Sequence, residues 1–220
     1  MSTPLAQFPA RSFILKDPYG VALILSPWNY PFQLTLSPLI GAIAAGNCAI
    51  IKPSEFAPAT SKIIADIIAQ TFSPEHITVV LGGRAKSEKL LDLPFDYIFF
   101  TGSTTVGRIV MEKAARHLTP VCLELGGKSP TIIDETANIS LAAKRLCWGK
   151  FLNAGQTCVA PDYVLIHERV KKDFLAEFEA AVSSAFPTGA LQDEGYVRII
   201  NEKHFERLKK LMADGRTVLG

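Results

Sequence analysis

A chain of 220 residues with 48% apolar content has room for one large domain or two small ones and ample material for a core. A formal net charge of +2 is too small for a nucleic-acid footprint, and the basic residues at Lys171/Lys172 and along 203–210 lie on helix-patterned segments, as solvated faces do. The apolar stretch 34–45 is too short to cross a bilayer and contains Ser37 and Pro38. Cys48, Cys122, Cys147 and Cys158 form no CxxC pair, which argues against structural zinc. With no leader pattern over residues 1–17, they read as reduced thiols of a cytoplasmic protein.

From Val21 onward strand and helix patterns alternate. Residues 21–25 (VALIL) follow a Pro18-Tyr19-Gly20 turn, and a helical run over 32–45 ends at the C-cap pair Gly46-Asn47. Strand 48–51 precedes a helix over 61–72, with Ile63, Ile64, Ile67 and Ile68 on one face. Strand 77–81 ends at Gly82-Gly83 and leads to a short helix near 87–91. Strand 97–100, helix 106–115 and strand 121–123 complete this half. Short strands that are continuously apolar and separated by helices predict a parallel sheet covered on both faces. Right-handed crossovers make it a doubly wound, Rossmann-like α/β domain over residues 1–124.

Past Gly126 the pattern loosens. A strand is expected over 131–133, a helix over 141–152, a strand over 163–166 and a helix over 171–185. A loop over 186–194 carries Pro187 and Gly189, a helix covers 201–213, and Thr217-Val218-Leu219 is strand-like. Residues 125–220 are thus expected to form part of a second α/β unit.

Two stretches carry chemistry: 123–130 (LELGGKSP) and 153–161 (NAGQTCVAP). Cys48, Cys122 and Cys147 lie in apolar strand or helix patterns, where a thiol is a small hydrophobe. Cys158 alone sits among turn-forming neighbours, whose backbone N–H groups can favour a thiolate facing a substrate. Glu124 ends an apolar run, Val121-Cys122-Leu123, so partial desolvation is expected to suit it to activating water. Gly126 and Gly127 permit close backbone approach. A phosphate loop is excluded, because the GxxxxGK spacing would need glycine where Cys122 stands.

Asn29, in the turn Trp28-Asn29-Tyr30-Pro31 after the first strand, is either a turn residue or an oxyanion donor beside the Cys158 backbone N–H. Lys52 and Glu55 end the second strand, where a carboxylate can hold a ribose hydroxyl and a lysine a hydroxyl or phosphate, or where the two form a solvated loop pair. The turn from Gly102 through Ser103 to Gly107 follows the fourth strand and opens a helix, a setting that suits a pyrophosphate. The GxGxxG of ordinary dinucleotide sites is absent after the first strand.

Together PWNYP (27–31), GAIAAGNCAIIKPSE (41–55), FTGSTTVG (100–107), HLTPVCLELGGKSP (117–130) and WGKFLNAGQTCVAPD (148–162) resemble the aldehyde dehydrogenase superfamily, in its class 3 branch. The resemblance runs from about Pro18 to the C-terminus. It implies Cys158 as nucleophile, Glu124 as general base and Asn29 as oxyanion donor. It further implies a cofactor, NAD or NADP, with Lys52 and Glu55 at its ribose, Gly102, Ser103 and Gly107 near its pyrophosphate, and Trp28 beside it. No metal is implied. The partner would be a small aldehyde, and the full-length form a homodimer. A CoA-acylating relative, which needs no water-activating carboxylate where Glu124 stands, and a nucleotide-binding fragment without catalysis are the alternatives.

Members of that family are longer at both ends, so the chain is expected to be an internal portion. The helical start of the cofactor domain, the segments that follow residue 220 and a C-terminal membrane tail known in some relatives would be lacking. The 220-residue chain is therefore expected to be inactive or nearly so. Steady-state NADH formation with benzaldehyde or a medium-chain aldehyde tests this, and turnover near that of a complete enzyme would contradict it.

Overall fold

The computed structural model describes residues 3–213 and 215–218, and the chain divides into two compact units, Met1–Glu124 and Leu125–Gly220. In the first, β1 (Val21–Leu25), α1 (Gln33–Ala44), β2 (Cys48–Lys52), α2 (Pro58–Thr71), β3 (Ile77–Val79), α3 (Arg84–Leu91), β4 (Tyr97–Thr101), α4 (Thr104–Ala115) and β5 (Val121–Glu124) follow one another. The strands form one five-stranded sheet in the order β3-β2-β1-β4-β5, and every pairing is parallel. The doubly wound α/β expectation holds.

Strand residues that alternate between faces explain the layering. Ile24, Ala49, Ile51 and Ile77 meet Leu39 of α1 and Ile64 and Ile68 of α2 in one buried cluster. On α4, Val110 and Ala114 are buried as well. At the end of α1, Gly46 takes φ +84°, and the buried Asn47 side chain accepts from Gly20 N at 3.0 Å and donates to Ala42 O at 3.1 Å. The expected C-cap pair is present.

Several helices begin earlier than periodicity predicts, although α1 and α7 begin one residue later. α2 starts at Pro58, three residues before the expected Ser61, and α4 starts at Thr104 behind the N-cap Ser103. A first turn is polar or capped and buries little, so the apolar period becomes readable only one turn further in. β3 ends at Val79 rather than Leu81, although Val80 N still donates to Ile51 O at 2.8 Å.

In the second unit β6 (Ser129–Ile133) pairs in parallel with β7 (Pro161–Ile166). α5 (Ile139–Phe151), α6 (Glu168–Ala185) and α7 (Glu202–Met212) are its helices. Ile133, Ala143, Leu146 and Phe174 form its core, with Val164 and Ile166 packed against it. The opposite strand face carries Ile132, Tyr163 and Leu165, all exposed. Thr217 and Val218 form no strand, contrary to expectation, and Leu219 lies outside the described residues.

Ile64 is fully buried at the centre of the first core, so Ile64→Ala is expected to lower the stability of unit 1 by about 2–5 kcal/mol. Urea unfolding followed by Trp28 fluorescence in a Trp148→Phe background measures it; a loss well below 1 kcal/mol would contradict the packing described.

Candidate active site

Because the five strands run the same way, all their carboxyl ends fall on one edge of the sheet. Leu25 is level with both Lys52 and Phe100, and Thr101 with Glu124, so Lys52, Glu124 and the turns after β1 and β4 share that edge. The strand order reverses between β1 and β4, and ligands of open α/β sheets bind at such a crevice. Trp28 and Asn29 follow β1 there, and both are half-buried.

Lys52 closes β2 with its side chain in the interior. It is 4% exposed, and its Nζ donates to Pro53 O at 2.8 Å and to Glu55 Oε2 at 3.4 Å. An ammonium removed from water needs such partners, which rules out a freely solvated loop pair for Lys52. The turn holding Glu55 is fixed from below: the buried Ser61 Oγ donates to Ser54 O at 2.8 Å, and Ser54 Oγ accepts from Phe56 N at 3.3 Å. Glu55 itself is exposed. Its Oε1 lies 3.6 Å from where a Cβ on Gly83 would stand, so the carboxylate sits against the N-cap of α3, where the helix dipole favours negative charge.

The turn after β4 is equally constrained. A Cβ on Gly102 would stand 2.5 Å from Phe100 Cζ, so only glycine lets that ring fold back beneath the turn. Gly102 N donates to Glu124 O at 2.9 Å. Ser103 Oγ accepts from Val106 N at 3.3 Å and caps α4. Gly107 does not belong to the turn: it is buried one turn into α4, its N–H bonded to Ser103 O at 2.8 Å.

Glu124 departs from expectation. Its backbone is held by β4 and Gly102, but its side chain is exposed and Val121, Cys122 and Leu123 are only half-buried. β5 is an edge strand, paired on one side alone, and an edge shields less than a central strand. Unit 1 by itself does not supply the expected desolvation.

In the second unit, α5 runs into a short 3-10 turn, Leu152–Gly155, in which Asn153 (φ 52°) and Ala154 (φ 53°) are left-handed, as is Gly155 (φ 73°). For a residue with a Cβ this costs about 1–2 kcal/mol, and strain of this kind gathers at functional sites. Cys158 follows in a tight turn closed by Ala160 N donating to Thr157 O at 3.1 Å. Of the four cysteines only Cys158 is exposed; Cys48 and Cys122 are half-buried, and Cys147 is buried. Burial pushes the Cys147 thiol above its ordinary range, which disfavours the reactive thiolate.

The two motif stretches meet within this unit. Ser129 of β6 is paired with Pro161 of β7, Lys128 Nζ lies 2.9 Å from Asp162 Oδ2, and a Cβ on Gly127 would stand 2.2 Å from Cys158 O. Gly127 is therefore pressed against the backbone of the cysteine itself. Gly126 has nothing within 4 Å of its would-be Cβ, so close approach is required at one glycine only.

The matching family model is the aldehyde dehydrogenase family, over residues 3–218. The chain belongs to the aldehyde dehydrogenase family. It is 47% identical over 220 residues to aldehyde dehydrogenase family 3 member B1 of Mus musculus, covering 100% of this chain and 47% of that one. Among solved structures, the substrate-bound state of Staphylococcus aureus AldH matches with a TM-score of 0.92 at 52% identity, covering 97% of this chain and 46% of that one. Mycobacterium tuberculosis aldehyde dehydrogenase complexed with NAD+ matches with a TM-score of 0.80 at 31% identity, covering 89% and 41%. The chain spans about half the length of the curated relatives it matches. Among its described residues, no helix is long and apolar enough to cross a membrane.

For this aldehyde dehydrogenase chain, two features escape a sequence reading: the Gly127 contact with the Cys158 carbonyl and the polar wiring around Gln156. A pair of glycines announces close approach but not to what, and a glutamine in a turn has no signature of its own. Gly127→Ala is expected to cost about 1–3 kcal/mol of unit 2 stability, because the clash is with backbone. Gly126→Ala should be nearly neutral. Differential scanning calorimetry of the two variants checks this, and equal effects would contradict the geometry.

Proposed function

We propose that the chain carries the nucleophile, the general base and the cofactor edge of a class 3-type aldehyde dehydrogenase, oxidising an aldehyde to the carboxylic acid with NAD+ or NADP+. One observation carries the reading: the single exposed cysteine stands on a turn pressed against Gly127, and three peptide links join Gly127 to Glu124. A small aldehyde as partner, a homodimeric full-length form and a cytoplasmic setting belong to the same proposal.

In this mechanism the Cys158 thiolate attacks the aldehyde carbon, giving a thiohemiacetal whose oxygen is met by the Asn29 side-chain amide and the Cys158 backbone N–H. After oxidation the same carbon is a thioester. Glu124 then takes a proton from water, the hydroxide adds to the thioester, and the carboxylic acid leaves as the thiolate is regenerated. Glu124 acts here as a proton acceptor.

The donor set on the sheet edge fits a nucleotide. The Lys52 ammonium donates and the Glu55 carboxylate accepts, which matches two neighbouring ribose hydroxyls. Glu55 would repel a 2′-phosphate and Lys52 would attract one, so both cofactor forms stay within the proposal. Ser103 and the start of α4 would hold pyrophosphate, with Gly102 shaping their turn and Trp28 beside the crevice. When bound, the nicotinamide supplies the acceptor for a hydride.

An activated ester such as p-nitrophenyl acetate forms the thioester without any cofactor: the sulfur–carbonyl bond forms and nitrophenolate leaves. Selective acylation of Cys158, read by peptide mass spectrometry, is expected in the wild type and absent in Cys158→Ala. Glu124→Gln should acylate normally but lose the acetyl group about 100-fold more slowly. Acylation spread equally over the cysteines would sink the nucleophile assignment. In calorimetry, heat with NAD+ that disappears in Lys52→Ala, without selective acylation, would leave only a nucleotide-binding module.

A further inference from the structure

Gln156 stands two residues before Cys158, and its side-chain amide is heavily engaged. Its Nε2 donates to Asn153 O at 3.1 Å and to Arg198 O at 3.2 Å, while its Oε1 accepts from Ile200 N at 2.9 Å. Its backbone N–H also donates to Asn153 O at 3.1 Å, and Asn153 Nδ2 donates to Gln156 O at 3.3 Å. One primary amide thus uses both donors and an acceptor on backbone groups from two segments far apart in sequence.

The receiving segment lies between α6 and α7 and is itself anchored. Arg198 donates to Tyr196 O at 2.6 Å and to Leu191 O at 2.8 Å, and the Phe186 and Tyr196 rings stand 5.0 Å apart. The other end of the tie is the left-handed turn 153–155, a conformation that persists only where its surroundings over-determine it. Glutamate has the reach but no donor, and its carboxylate would face the carbonyl oxygens of Asn153 and Arg198. Asparagine is one methylene shorter.

We propose that Gln156 is a positioning residue for the Cys158 nucleophile: its amide clamps the left-handed 153–155 turn to residues 198–200 and so fixes where the thiol stands. The inference rests on the nucleophile role proposed for Cys158. It assigns the loop between α6 and α7 a purpose, as the fixed post to which the turn is tied.

The test compares the full 220-residue chain with Gln156→Glu and Gln156→Ala, using p-nitrophenyl acetate acylation and amide hydrogen exchange. Cys158 acylation is expected to fall about tenfold or more in both variants. In Gln156→Glu the rate relative to wild type should recover as the pH is lowered toward about 4.3, where protonation of the new carboxyl restores a donor. In Gln156→Ala the ratio should stay flat, and a merely space-filling role would give no such difference. Exchange over 153–160 should rise about tenfold in both variants while α6 is unchanged. Acylation within about twofold of wild type in both variants overturns the proposal, as does Cys147 becoming as reactive as Cys158, which marks general loosening. If the wild type shows no selective acylation, the nucleophile reading fails, and unchanged exchange over 153–160 then overturns the clamp as well.

Discussion

The structure depends on strands that all run the same way. In a parallel sheet every crossover returns the chain to the same end, so every carboxyl terminus accumulates on one edge. That constraint gathers Lys52, the Trp28-Asn29 turn, the Gly102-Ser103 turn and Glu124 from four separate stretches of sequence. None of these residues lies near all the others in the chain; the hydrogen-bond ladder assembles them. The apolar faces beneath exist to keep that ladder dry and level.

Lys52 and Ala154 are among the described residues that tolerate local cost. Lys52 keeps an ammonium almost entirely out of water, sustained by a carbonyl and a carboxylate, and Ala154 keeps a left-handed backbone. Both lie on or beside proposed sites; Lys52 is held by polar contacts, and Asn153, next to Ala154, shares hydrogen bonds with Gln156. Hydrogen bonds have direction, so they fix an orientation that a greasy contact would leave free.

Element types and order were legible in the sequence because buried parallel strands are short apolar runs, and helices such as α2 carry an apolar period, although of Ile63, Ile64, Ile67 and Ile68 only Ile64 and Ile68 turn out to be buried. Helix starts were less so, since a first turn such as Pro58-Ala59-Thr60 hides its helical character in polar or capped residues. Cys158 could be set apart from Cys48, Cys122 and Cys147 by its turn-forming neighbours, and it is the exposed one of the four. The environment of Glu124 could not be read, because an apolar run does not reveal whether its strand lies at an edge or in the centre. Gln156 and Gly127 were opaque for a different reason: their partners are backbone atoms, which carry no residue identity to recognise.

The outward face of β6 and β7 has a consequence for behaviour in solution. Two strands alone form a marginal sheet, and among the described residues only the face toward α5 and α6 is covered, leaving Ile132, Tyr163 and Leu165 exposed. Such a surface is adhesive, and strands with open flanks are templates for further pairing. Crowding of these molecules would therefore bring exposed thiols together, so dilution and a reducing medium favour the monodisperse state.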